Sequence, residues 1–590
     1  MEAGENIIEV RHVTFTYLGE KQPALRDVNL TVKPGEFVLV LGPSASGKST
    51  LVNLFNGSVP HIFEGTLEGE VYVNGLRTVE HPVSELAKTV GVVFEDPEAQ
   101  LVNVLVKDEI YFGPENLLTP IEEIKRNAQR SVSLVGIEDL VERDVFQLSG
   151  GQKQKVAVAS VLSMQPRVLV LDQPTANLDP QSTLEVFRLL GRLNRELGVT
   201  VIVIEHNVDG LAEFLTQVVI MKDGRVVLSG TPRQVFSQRF ADFSEELGLW
   251  VPQISELAQG MRDRVSFPVF PLTVDEAYAP LVRAIKRGTS TREAGKVGQK
   301  NPDAKSIPII DIRDLSYTYA VNGVKALDRL NLTIWPGDFL AIVGKNGSGK
   351  STLAKTLMKI NVPERDTVFI KGRDINDISL FELTQTIGYV FQNPDDQFVE
   401  DTVFDEVAYS LRVRGIPEEV VGEKVLEVLH LFHLDKYKNL SPFSLSMGQR
   451  RLLSVATMLI VGQEVIILDE PTIGQDQASA NLLMGYLKEL NAQGKTITII
   501  THDMRLMSKW VGRVVAMSRS HLVLDGTVTE LFEREDIMEQ AALVEPPIVK
   551  LVKRLRGDVP ELPLMLTPEE FEGVVRDPLE FQVSKTALEG

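Results

Sequence analysis

The sequence predicts an α/β protein built twice on one plan, and three observations carry that prediction. Near-continuous apolar runs lead into glycine-rich loops, amphipathic stretches between such runs have helical spacing, and an ordered series of short motifs in the first half returns in the second. Runs such as FVLVLG (37–42) and FLAIVG (339–344) lack polar alternation, which fits strands of a parallel sheet covered on both faces.

The elements follow in order. GPSASGKST at 42–50 matches GKNGSGKST at 344–352, an offset of 302. VVFEDPEAQL (92–101) returns as YVFQNPDDQF (389–398), LSGGQ (148–152) as LSMGQ (445–449), and VLVLDQPT (168–175) as VIILDEPT (465–472), each offset by 297. The segment 181–196 has helical spacing, and VTVIVIEH (199–206) and KTITIITH (495–502) read as buried strands ending in His206 and His502. The repeat extends into a tail, because VPQISEL (251–257) resembles EPPIVKL (545–551) and PLTVDEA (271–277) resembles MLTPEEF (565–571), both offset by 294. The expected organisation is therefore a first domain at 1–240, its extension at 241–287, a polar linker at 288–306, a second domain at 307–540 and its extension at 541–590.

Composition narrows the function classes. A chain of 590 residues with 43% hydrophobic content suits more than one globular domain. It has no cysteine, which excludes disulfides, thiolate metal sites and iron–sulfur clusters. No run approaches the roughly 18 apolar residues of a membrane span, and MEAGENIIEV does not read as a signal peptide. The net charge of −20 argues against an extended nucleic-acid footprint. The densest basic run, KRLR at 553–556, reads as a solvated helix face.

Both glycine-rich loops fit G-x-x-x-x-G-K-[ST]. That geometry turns backbone N–H groups toward phosphates, brings Lys48 or Lys350 to the β/γ oxygens and places the Ser49 or Ser351 hydroxyl at Mg²⁺. The first cradle comprises Gly42, Ser44, Ala45, Ser46 and Gly47 and runs on to Thr50; the second comprises Gly344, Asn346, Gly347, Ser348 and Gly349 and runs on to Thr352. Asp172 and Asp469 end apolar strands, where an acid can hold the magnesium shell, and Glu470 is placed to polarise an attacking water. Ser149, Gly150, Gly151 and Gln152 open a helical stretch, as do Ser446, Met447, Gly448 and Gln449; small residues at a helix start can receive an anion or form a plain N-cap.

Together these motifs resemble ATP-binding cassette (ABC) ATPases, twice, over nearly the whole chain outside the linker. The resemblance implies two P-loop NTPase domains. Each has a mainly parallel sheet, an antiparallel β subdomain, a helical signature subdomain and a small C-terminal extension. It further implies that Tyr17 and Tyr319 stack on adenine and that Gln392, with Glu95 at the matching position, is the Q-loop residue beside the metal. His206 and His502 become the switch histidines. In this family two cassettes pair head to tail, each ATP lying between one P-loop and the opposite signature.

A narrower resemblance is visible. FQNPDDQFVEDTVFDEVAYSLRVRGIP (391–417), FEDPEAQLVNVLVKDEIYFGPENL (94–117) and the repeated tails are similar to ATPases of energy-coupling factor (ECF) transporters. These import vitamins, vitamin precursors or transition-metal ions. The resemblance implies a membrane scaffold (T-type) protein and a substrate-binding (S-type) membrane protein as partners, a peripheral position on the cytoplasmic face of the membrane, and ATP and Mg²⁺ as cofactors. The rival readings are the ATPase of another importer and a soluble ABC protein acting on ribosomes or DNA. The latter usually carry basic or coiled-coil insertions, whereas this chain has a polar linker and an acidic balance.

The first half departs from the family pattern. Gln173 stands where the catalytic Glu is expected, Glu95 where the Q-loop Gln is expected, and Ala45 where the P-loop has glycine; the second half departs only at Met447. Head-to-tail pairing would gather every departure in one site, combining Lys48, Glu95, Asp172, Gln173 and His206 with LSMGQ. The other site would keep Lys350, Gln392, Asp469, Glu470 and His502 with LSGGQ. An amide can hydrogen-bond water but cannot take its proton near neutral pH, so Gln173 marks an expected weak site.

Overall fold

The computed structural model describes residues 6–176, 178–238, 247–288, 307–320 and 323–575. The expected linker lies outside these residues except for Gly288. The chain divides into two compact units, Met1–Gln259 with Phe267–Ala277, and Gly260–Ser266 with Tyr278–Gly590.

In the first unit a six-stranded sheet runs in the order Arg225–Gly230, Gln217–Lys222, Phe37–Leu41, Thr200–Ile204, Val168–Asp172, Val90–Val93. Every neighbouring pair is parallel except the first. The second unit holds the same sheet as Ile387–Val390, Val465–Asp469, Thr496–Ile500, Phe339–Val343, Arg513–Ser518, His521–Thr527, with only the last pair antiparallel. A four-stranded antiparallel sheet accompanies each, formed by Leu25–Val32, Ile8–Tyr17, Gly65–Val73 and Leu76–Arg77 in one unit. In the other it is formed by Lys325–Ile334, Ile310–Thr318, Val368–Ile370 and Arg373–Asp374.

The apolar runs have a direct cause in this layering. All five residues of Phe37–Leu41 are buried. Strand alternation sends Phe37, Leu39 and Leu41 into a core shared with the helices at Val106–Asn116 and Gly150–Leu162. Val38 and Val40 face the antiparallel sheet and the helix Lys48–Phe55. A strand covered on both faces has no position to spare for a polar side chain, and each large aliphatic so buried contributes about 1.5–3 kcal/mol.

Local signals set the helix ends. The stretch expected at 181–196 is the helix Pro180–Leu197: Asp179 caps it by accepting from the Ser182 N–H at 2.9 Å, and Gly198 closes it at φ 66°. The repeated tails fold alike, with helices starting at Gln253 and Val274 in the first and at Pro547 and Pro568 in the second. The basic residues of the KRLR run lie on the unburied side of the helix Pro547–Arg556, with Arg554 exposed, and two of them are ion-paired. Leu555 is buried, Lys553 pairs with Glu545, and Arg556 bonds to Glu533 at 2.6 Å and to the Leu562 carbonyl at 2.8 Å.

Candidate functional site

Each P-loop leaves the C-terminal end of a central strand, the place where an open α/β sheet presents ligand sites. Two positions with positive φ are shared by both loops, and the second loop adds Gly344 at φ 144°. Gly47 and Gly349 turn the chain into the helix at φ 95° and 106°. At Gly349 an added Cβ would sit 2.4 Å from the Ala326 carbonyl oxygen, so glycine is required by space as well as by φ. The other left-handed position is Gly347 in the second unit, at φ 79°, and Ala45 in the first, at φ 61°. The alanine thus occupies the conformation that its missing glycine would have taken, at a cost of about 1 kcal/mol.

Both lysines are buried and folded across their loops. Lys48 Nζ donates to the carbonyls of Gly42 and Pro43 at 2.9 and 2.8 Å, and Lys350 Nζ to those of Gly344 and Lys345 at 2.6 and 3.0 Å. Tyr17 and Tyr319 are tied to the same helix starts, their hydroxyls 3.0 and 3.1 Å from the Thr50 and Thr352 hydroxyls. Each half-buried ring therefore stands beside its phosphate cradle, where a purine could stack on it.

The parallel sheet brings the strand-end acids to the P-loops. Ser49 Oγ donates to Asp172 Oδ2 at 2.7 Å, and Ser351 likewise bonds to Asp469. Burial raises both carboxyls above the usual range, against the opposing pull of the serine hydroxyls and the P-loop lysines. In each acid Oδ1 is buried without a hydrogen-bond partner. A hydroxyl beside a buried carboxylate with an oxygen to spare fits Mg²⁺, which binds through one or two carboxylates, waters and substrate phosphates rather than a full protein cage. Glu95 and Gln392 lie two residues past strands that pair in parallel with those acid-bearing strands. Glu95 is half-buried and Gln392 exposed.

The units diverge at the next residue. Gln173 and Glu470 share the left-handed conformation, φ 45° and 49°, and each N–H donates to a strand-end carbonyl, Ile204 or Ile500, at 2.9 Å. In the second unit Glu470 Oε1 lies 2.8 Å from His502 Nδ1, and Arg451 Nη1 donates to the Glu470 carbonyl at 3.0 Å. Burial alone would lower the His502 pKa, but the Glu470 charge and hydrogen bond reverse this and hold it above its usual value. A carboxylate in this setting can take a proton from water and share it with an imidazole. An amide at 173 cannot.

The signature segments behave alike. Ser149 and Ser446 cap their helices, accepting from the N–H groups of Gln152 and Gln449 at 3.4 Å, while each glutamine side chain accepts from the serine N–H at 3.0 Å. Gly150 and Gly448 lie in the first turn behind these caps, and Gly151 is close enough to Ser182 that an added Cβ would meet its Oγ at 3.1 Å. The Met447 side chain lies outside the described residues.

Four features escaped the motif reading. Tyr389 donates to Asp469 Oδ2 at 3.1 Å where the first unit has Val92, and Arg451 stands where it has Gln154. Glu205, whose counterpart is Thr501, is fully buried; its carboxylate accepts from the Thr175 hydroxyl at 3.0 Å and from the His206 N–H at 3.1 Å. Finally, Glu109 and Glu406 are buried and accept backbone N–H groups at 2.8–3.0 Å from Val102 and Asn103, and at 2.8 Å from Val399 and Glu400. Comparing the halves position by position exposes the first three; the last is a match between halves that no phosphate motif covers.

Two glycine-rich loops on parallel sheets, each beside a strand-end acid, define a twofold P-loop nucleotide-binding protein. The chain belongs to the ABC transporter family, whose profile matches residues 25–176 and 327–473. A Methanosarcina mazei protein named as a candidate ABC transporter ATP-binding protein is 37% identical over 98% of this chain and 98% of its own. A similarly named protein of Caldanaerobacter subterraneus subsp. tengcongensis is 38% identical over 94% of this chain and 97% of its own. Among solved structures, cbiO1 from Clostridium perfringens, described as part of the ABC transporter complex cbiONQ, is 34% identical and covers 43% of this chain and 99% of that one, with a TM-score of 0.37. The chain is thus a tandem ABC ATPase that binds and hydrolyses ATP. Among the described residues no helix is long and apolar enough to cross a membrane.

Proposed function

We propose that this ATPase is the energy module of an ECF-type importer, with one complete and one degenerate ATP site, driving uptake of a vitamin, vitamin precursor or metal ion through T-type and S-type membrane partners. The observation that carries the docking part of this reading is the braced segment after Glu95 and Gln392. Buried Glu109 and Glu406 fix its backbone, while Val102 and Val399 stand 61% and 66% exposed, and the same stretches also expose Phe94 and Phe112 in one unit and Tyr409 and Val413 in the other. Apolar side chains held outward on a preorganised loop suit a protein partner, because their ordering cost is already met. These segments are the ones whose sequence resembles the ECF ATPases.

In the complete site, Lys350 and the loop N–H groups would hold the phosphates, Ser351 and Asp469 would hold Mg²⁺, and Glu470 with His502 would activate water. When bound, Mg²⁺ neutralises charge on the phosphate oxygens. In the degenerate site Lys48, Ser49 and Asp172 bind, and Gln173 does not serve as a base. Head-to-tail pairing of the cassettes assigns LSGGQ to the complete site and LSMGQ to the degenerate one. Each cassette is taken to span the limits expected from the sequence, 1–240 and 307–540.

Affinity purification from detergent-solubilised membranes, followed by identification of co-purifying chains, tests the reading. Recovery of a scaffold membrane protein with a small substrate-binding one is expected. Recovery of a different permease type would place the ATPase in another importer class, and Val102→Asp with Val399→Asp should release the partners.

A further inference from the structure

Tyr389 is a buried phenol at the end of Ile387–Val390, the strand paired in parallel with Val465–Asp469. Its ring is wedged edge-on against Phe391, centroids 4.8 Å apart, within the core below the second P-loop. A buried phenol needs a hydrogen-bond partner, and the acceptor here is Asp469 Oδ2 at 3.1 Å. We propose that Tyr389 is a positioning residue for the metal of the second cassette, clamping Asp469 Oδ2 so that the partnerless Oδ1 stays available to the cation or its water shell. The proposal rests on the assignment of Asp469 to Mg²⁺ and is independent of the importer class.

The argument is one of redundancy. The Ser351 hydroxyl that bonds to Asp469 is also the hydroxyl a P-loop gives to the metal. Once it turns, a carboxylate held by serine alone is free to rotate about its Cβ–Cγ bond. Asp469 keeps a second anchor. Asp172 has Ser49 as its described hydrogen-bond partner, and Val92 at the tyrosine position offers no hydroxyl. The tyrosine therefore sets the metal sites of the two cassettes apart by a contact to which the sequence motifs assign no role.

The test uses the full-length chain with Lys48→Ala, so that nucleotide loads the second cassette. Mn²⁺ binding with AMP-PNP is followed by the electron paramagnetic resonance of free Mn²⁺, and AMP-PNP affinity is measured separately in EDTA. Tyr389→Phe keeps the ring and removes one oxygen; it should weaken Mn²⁺ binding roughly 10-fold, the size expected for losing a hydrogen bond to a charged group, with metal-free AMP-PNP affinity unchanged. In Asp469→Asn the further change Tyr389→Phe should have no effect on residual Mn²⁺ binding. Unchanged Mn²⁺ affinity in Tyr389→Phe, where Asp469→Asn does lose it, overturns the proposal alone. Parallel loss of metal-free nucleotide binding makes the tyrosine merely structural and also overturns it. Normal Mn²⁺ binding by Asp469→Asn removes the metal assignment and the proposal together.

Discussion

His502 Nδ1 lies 2.8 Å from Glu470 Oε1, and both side chains are largely buried. The same backbone positions in the first cassette carry His206 and Gln173, so the Glu470–His502 pair has no acid–imidazole equivalent at these two positions.

Hydrolysis should depend on Glu470 and barely on Gln173. Removing a general base costs about 10²- to 10⁴-fold, roughly 3–5 kcal/mol of barrier. Glu470→Gln should abolish most steady-state turnover of the assembled complex while ATP binding persists; Gln173→Ala should leave turnover nearly unchanged. Retained activity in the first variant, or its loss in the second, would reverse the assignment of the two sites.

Ala45 and Gly347 offer a reciprocal stability test. Ala45→Gly should stabilise the first cassette and Gly347→Ala destabilise the second, each by about 1 kcal/mol. No atom outside the neighbouring residues lies within 4 Å of a Cβ built at Gly347, so its cost is conformational rather than steric. Chemical denaturation followed by probes in each cassette reads both signs, and equal stability of all three chains would remove the strain argument.

Glu95 and Gln173 are expected to act as an exchange, a carboxylate gained at one place and lost at the other near the metal and γ-phosphate. Glu95→Gln should therefore weaken retention of Mg·ATP at the first site. A site-resolved nucleotide-retention assay with unchanged occupancy would dismiss it.

Burial raises the Glu205 pKa to about 7, against hydrogen bonds from Thr175, Asn207 and His206. In the unfolded chain the group titrates near 4.5, so between these values the fold holds a proton that the unfolded chain has released. The stability this contributes is present below about pH 4.5 and lost as pH rises through 7. Glu205→Gln removes that titration. Relative to the parent it should gain stability with rising pH, on the order of 3 kcal/mol by pH 8, with little difference near pH 5. Parallel unfolding curves for the two chains from pH 5 to 8 would contradict this.

The sheet and its phosphate loops were legible because their causes are local: unbroken apolar runs, glycines where φ is positive, and acids at strand ends. Ala45 stands where the motif has glycine, and its backbone keeps the positive φ that glycine favours. Tyr389, Arg451 and Glu205 were not legible as site residues. Their contacts depend on which strand or helix lies alongside, and a tyrosine in an apolar run reads as core until the neighbouring strand places Asp469 at its hydroxyl. The ion pairs of the KRLR run were hidden for the same reason, since charge in a sequence does not reveal that Glu533 and Glu545 sit across from it.

The left-handed turn at Gln173 has a consequence of its own. It duplicates the turn at Glu470 within 4° of φ and makes the same backbone bond to the neighbouring strand, although its amide side chain cannot take a proton near neutral pH. The bend thus does not depend on which of the two side chains it carries. An exchange between amide and acid at its apex is silent to the backbone and isosteric to its neighbours, and glutamine and glutamate codons differ by a single base. The first cassette is thus one nucleotide away from a carboxylate at this turn, and Ala45, Glu95 and Gln154 are what would still set its site apart from the second.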